Sequence, residues 1–197
     1  MNISKWILIV LLIPVMAGCD LFQKKSTAEL EKETMERMNE WFENSGVDGD
    51  SLQSGFEAYF ISNGIAEAAD SKPDQYMDIL KFIEKPDDFP PLQNKALITE
   101  TMRKLGISRN DIQDKKQLDY YYQHYLDHKQ KVDSSSSYFV FGATIETLNK
   151  IPRLGSPGLV AKTLKNQMNK ADLKKELYQK TIVMLFYFDM AMHLRQE

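Results

Sequence analysis

The chain has 197 residues, 43% hydrophobic and 27% charged, the balance of one folded domain with a core rather than of a disordered chain or a many-pass membrane protein. One cysteine, 9 Gly and 7 Pro exclude disulfide scaffolds and collagen-like repeats. The formal charge is −3, and Lys and Arg are spread along the chain, so no basic block is present to grip nucleic acid.

The first segment speaks to compartment. Lys5 precedes an apolar run from Trp6 to Ile13, followed by Pro14, Val15, Met16, Ala17, Gly18, Cys19 and Asp20. A short positive end, a brief apolar stretch and small residues before a cleavage point are the layout of an export signal. The run is shorter than the ~20 apolar residues that a spanning helix needs, so residues 1–18 are expected to be removed. Cys19, directly after Ala17 and Gly18, resembles the lipobox of bacterial lipoproteins; Met16 stands where that family prefers Leu and matches it in volume and apolarity. The resemblance covers roughly the first 20 residues. It implies that Cys19 carries fatty acyl chains such as palmitate and becomes the mature N-terminus, with two or more chains holding far better than one. In a diderm host, Asp20 resembles the signal that keeps such proteins at the inner membrane, facing the periplasm. Residues 19–25 then form a tether reaching roughly 20 Å when extended. Lys24 and Lys25 could meet anionic headgroups or serve only as a soluble flank.

From residue 26 to 197 the periodicity is helical, predicting an all-α fold, a single irregular bundle of about seven or eight helices. Ser26 and Glu29 form a capping box, Glu33 and Arg37 are spaced as an i,i+4 pair, and Met38, Trp41 and Phe42 make an apolar edge before Gly46. Asp50 is the expected cap of a second helix carrying Phe56, Tyr59 and Phe60, ending near Gly64. Ser71 to Pro73 opens a third, with Tyr76, Ile79, Leu80 and Ile83 on one face. Pro86 to Pro91 is a stiff connector. Leu97, Ile98, Met102 and Leu105 form the next stripe, stopped by Gly106, and Ser108 to Asp111 restarts the pattern.

Leu118, Tyr121, Tyr122 and Tyr125 share the following face, which continues toward Val132 until Ser134 to Ser137 interrupts it. Residues 138–151 fit a strand at Tyr138 to Phe141 and a helix after Thr144; helix is the reading adopted. Pro152 to Gly158 is a turn, with Ser156 capping and Pro157 opening a helix that carries Leu159, Val160, Leu164 and Met168. A last helix from about Ala171 to Leu194 places Leu173, Leu177, Thr181, Met184, Leu185, Phe188 and Met192 inward. Asp189 and His193 argue that it is a central core helix and not a membrane span.

Chemistry-bearing patterns are few. With Cys19 acylated no thiol remains, and no nucleophile elbow, phosphate loop or dinucleotide fingerprint occurs, so no cofactor is expected. His124 and His128 lie one helical turn apart and are the only candidate metal ligands, with Asp127 or Asp119 as carboxylate for a metal-dependent hydrolase. The segment lacks the Glu of zinc-protease helices, and the 100° rotation per residue puts His128 near the tyrosine stripe and His124 on its flank. Tyr121, Tyr122 and Tyr125 are candidate interface residues; packing inside the bundle is the commoner use of such a stripe. The expected role is non-catalytic: an anchored helical domain binding another envelope protein for assembly, regulation or immunity. A carrier of an apolar ligand is the remaining alternative.

Overall fold

A computed structural model describes residues 25–85, 89–92, 95–113, 115–150 and 156–193. Cys19, Asp20, Lys24, the signal segment, the start of the proline-rich connector and most of the turn before Ser156 lie outside the described residues. The fold is all-α, with nine α-helices among the described residues: α1 Thr27–Ser45, α2 Gly49–Ser62, α3 Lys72–Ile83, α4 Lys95–Lys104, α5 Arg109–Gln113, α6 Asp119–His128, α7 Ser137–Lys150, α8 Pro157–Gln167 and α9 Glu176–His193. Short 3-10 turns at Lys116–Leu118 and Lys170–Lys174 precede α6 and α9.

The caps explain where these helices begin. Ser26 and Glu29 close the expected box on α1, the Ser26 N–H donating to Glu29 at 2.7 Å. Gly46 ends α1 at φ 63°, a left-handed turn in which its N–H and that of Val47 satisfy the final carbonyls. The cap of α2 is Asp48 and not Asp50, because the Asp48 carboxylate reaches the N–H groups of both Asp50 and Ser51; a carboxylate placed inside the first turn cannot. Ser156 accepts from the Leu159 N–H and Pro157 opens α8, and residues 138–150 are helical throughout.

Packing is organised around α9. Every residue from Leu177 to Met192 is buried, and α2, α4, α5, α1 and both 3-10 turns lie against it. No described helix is long and apolar enough to cross a membrane. A second row of neighbours, α1 on α6, α6 on α7, α7 on α8 and α8 on α3, wraps the remaining side. The expected helix from Ala171 starts instead at Glu176, since Lys175 is extended (φ −81°, ψ 129°) and its ammonium is held by Glu31 at 2.9 Å and Asp172 at 2.8 Å.

The interior carries polar ties between helices. Glu57 of α2, 9% exposed, accepts from Gln53, from Tyr76 of α3 at 3.0 Å and from Lys72, while Gln53 also reaches Gln179 of α9 at 2.8 Å. Lys115 and Asp189 form a buried ion pair at 2.8 Å. Buried groups of this kind are tolerated where each finds partners. Two stripe residues depart from expectation: Leu97 is 52% and Leu159 48% exposed, whereas Ile98, Met102 and Leu105 are buried as their spacing requires.

Candidate functional site

Helix α6 holds most of the candidate residues, and its neighbours decide what each can do. Tyr121 is fully buried, stacks on Tyr138 with centroids 5.0 Å apart and donates its hydroxyl to the Tyr138 carbonyl at 2.9 Å. Tyr125, 2% exposed, lies against Gly142 of α7. These two side chains are core, which corrects their expected place in an interface; Tyr122 is half-buried.

The histidines also differ from their expected placement. His124, not His128, is the buried one. Helical projection considers α6 alone, but α1 packs along the His124 side and covers it, while His128 is the last residue of α6 and half-buried. The His124 ring bridges three helices. Its Nε2 lies 2.8 Å from Glu33 of α1, and its Nδ1 lies 2.9 Å from Thr34 Oγ1 and 2.8 Å from the Tyr138 hydroxyl of α7. Glu33 in turn accepts from Lys25 at 2.7 Å and 2.8 Å, so it does not use the expected partner Arg37 and Lys25 is held by the protein. His128 donates Nδ1–H to the His124 carbonyl at 2.9 Å, with the two rings 4.6 Å apart.

The protonation states follow. Burial pushes His124 below its usual value, and the hydrogen bond from Lys25 leads the effects that hold Glu33 below the ordinary carboxylate range. Burial raises Tyr138 to about 12. A neutral His124 therefore donates Nε2–H to an ionised Glu33 and accepts at Nδ1 from Tyr138, while Thr34 donates to the Leu30 carbonyl at 2.8 Å. Both ring nitrogens are engaged by protein groups. Among the described residues no group of three or more His, Cys, Asp or Glu could hold a metal ion. Asp127 is exposed and Asp119 lines a different cleft, so the carboxylates considered with the histidines do not converge on them.

That cleft, of about 370 Å³, lies where α1 meets the start of α6 and the turn after α4. Trp41 and Tyr120 form its aromatic wall, stacked at 6.0 Å and 29°, and the Tyr120 hydroxyl lies 3.2 Å from Thr181 of α9. Leu105 and Ile107 extend the apolar surface, and Asp111, Lys116 and Asp119 supply charge. Lys116 bonds Asp111 at 2.8 Å and, with Ser108, holds its carboxyl well below the usual range. Burial raises the Asp119 carboxyl, with Lys116 opposing. The arrangement offers a shallow amphipathic cleft with a charged rim.

The sequence did carry a signal for the residues it left unassigned. Thr34 lies in the stripe Leu30, Thr34, Met38 and Phe42, all buried; a hydroxyl in an apolar row requires a partner from another element. Its chemistry did not say which. Comparisons of the chain with family models, with curated proteins and with solved structures gave no match.

Proposed function

We propose that the chain is a lipid-anchored protein of a bacterial envelope whose helical body works by binding another envelope protein. The observation that carries this reading is Cys19, the single cysteine of the chain, placed directly after Ala17 and Gly18 behind an apolar run. Acyl chains there would hold the body against the membrane, each buried methylene contributing about 0.8 kcal/mol. Asp20 favours the inner membrane facing the periplasm where the host is diderm. The tether is short because the body begins at once: Lys25 is paired with Glu33, and Ser26 with Glu29.

For the binding role, support comes from the cleft with Trp41 and Tyr120 as its aromatic wall. Half-buried aromatic residues inside a charged rim are the composition favoured at protein interfaces. The contact surface thus moves along α6 from Tyr121 and Tyr125 to Tyr120; Tyr122, two residues on, does not line the cleft.

Labelled palmitate supplied to cells is expected to appear on the wild-type chain and to vanish in Cys19→Ala, with the variant shifting out of the membrane fraction. Unchanged labelling, or an unlipidated soluble wild type, would sink the anchor. A photoreactive residue replacing Trp41 in intact envelopes is expected to give one discrete adduct that Lys116→Glu abolishes. The same adduct from exposed Gln123 would remove the cleft from the reading.

A further inference from the structure

Helices α2 and α4 both lean on α9, and the space between them is a cavity of about 210 Å³. Val47, Leu52 and Ile98 supply apolar walls, exposed Asp48 and Lys104 bring opposite charges to the rim, and exposed Leu97 lies at its margin. Tyr187 of α9 also lines it. This side chain is 1% exposed, packs edge-on against Phe56 with centroids 5.3 Å apart, and its hydroxyl has no hydrogen-bond partner among the described residues. The buried hydroxyls of Tyr76, Tyr121, Tyr138 and Tyr178 all have one. A buried polar atom left without a partner is uncommon in folded proteins and points to something absent from the structure.

Gly55 belongs to the same feature. A Cβ at that position would stand 3.5 Å from the Tyr187 hydroxyl, so α2 puts no side chain against the buried oxygen. Leu97 is also accounted for: its place in the apolar stripe of α4 is right, but the surface it faces is a cavity wall and not a packed neighbour.

We propose that the cavity between α2, α4 and α9 binds a small uncharged molecule, one apolar ring or short branched chain carrying a single hydroxyl or carbonyl oxygen, which accepts a hydrogen bond from Tyr187. Size sets the first limit: the space exceeds the ~150 Å³ that admits benzene and falls short of the ~300 Å³ of drug-sized sites. The donor sets the second. Burial raises Tyr187 to about 12, so the hydroxyl keeps its proton and the ligand must accept. Charge sets the third: the lining carries one acid, Asp48, and one base, Lys104, so it favours neither sign, and an ion drawn in beside the neutral Tyr187 donor would lose hydration without adequate replacement. The site lies in the helical body and does not depend on the membrane anchor or on the Trp41 cleft.

The test uses the full-length chain in lipid nanodiscs, titrated calorimetrically with phenol, toluene and benzoate, the signal from empty nanodiscs being subtracted. Phenol is expected to bind saturably, toluene about five- to tenfold more weakly for lack of the oxygen, and benzoate more weakly than phenol. Tyr187→Phe keeps the ring and removes only the unpartnered hydroxyl, so it should fold with an undiminished melting temperature. It should weaken phenol by the same factor and leave toluene unchanged. Gly55→Ala, whose methyl covers the oxygen, should also weaken phenol. Equal affinity for phenol and toluene, tighter binding of benzoate, no saturable binding, or phenol affinity untouched by Tyr187→Phe would each overturn the proposal.

Discussion

Gly142 lies inside α7, where glycine is ordinarily about 1 kcal/mol less favourable than alanine. Here packing reverses the preference. A Cβ at this position would fall 2.1 Å from Cδ2 of the Tyr125 ring, and that ring is buried with Phe139 5.9 Å away on an edge contact. Gly142→Ala is therefore expected to destabilise the protein by about 2–3 kcal/mol, seen as a lower urea midpoint at unchanged slope. A higher midpoint would mean that Tyr125 has room to retreat and that the contact is not tight. Such a contact was invisible in the sequence, where Gly142 is only a weak point in a helical run. What the sequence did display were the residues whose chemistry acts locally: Ser26 with Glu29, Gly46, and Ser156 with Pro157 each did what their side chains allow within one turn. Asp48 and Asp50 were harder to separate, since both are good caps and only the backbone decides which one precedes the first helical residue.

At the scale of elements, α9 shows how a helix can be buried on every side and still carry charge. Asp189 sits among buried side chains because Lys115 reaches it at 2.8 Å from the turn before α6. Lys115 itself has φ 56°, a left-handed backbone that costs a non-glycine residue roughly 1–2 kcal/mol. The ion pair holds that residue in place. Lys115→Met removes the cation beside a buried carboxylate and is expected to cost about 3 kcal/mol, whereas Lys115→Met combined with Asp189→Leu should regain most of the loss. Thermal unfolding of the two variants distinguishes these outcomes; equal destabilisation by both would show that backbone strain, not charge, dominates the position. The start of α9 was read several residues too early for a related reason. Ala171, Asp172, Leu173 and Lys174 have nothing in their propensities to stop a helix, and the break at Lys175 is fixed by ion pairs to Glu31 and Asp172, one of them from the opposite end of the chain.

The whole molecule should feel acid through the ring that joins α1, α6 and α7. His124 is neutral in the folded protein and Glu33 ionised, each with its value below the ordinary one. Unfolding restores both to water, His124 near 6.5 and Glu33 near 4.5. Below pH 6.5 the unfolded chain therefore binds more protons than the folded one, so the contribution of His124 is complete above that pH and declines as the pH falls toward its folded value. Glu33 adds a second decline in the more acidic range. Denaturant titrations across pH should show this slope, and His124→Asn should flatten its upper part, the decline that sets in as the pH falls through 6.5; identical slopes in both proteins would exclude His124 as the cause. His124 and His128 were legible as a pair but not in their difference, because which one is covered depends on α1, about ninety positions away.

The order of the chain gives the central position of α9 a further meaning. All the helices that rest against it are synthesised before it, so a polypeptide emerging from its N-terminus presents their inner faces bare until residues 177–192 arrive. Folding cannot be completed through that interval, and a chain cut short before α9 has nothing to close around and is open to aggregation and proteases.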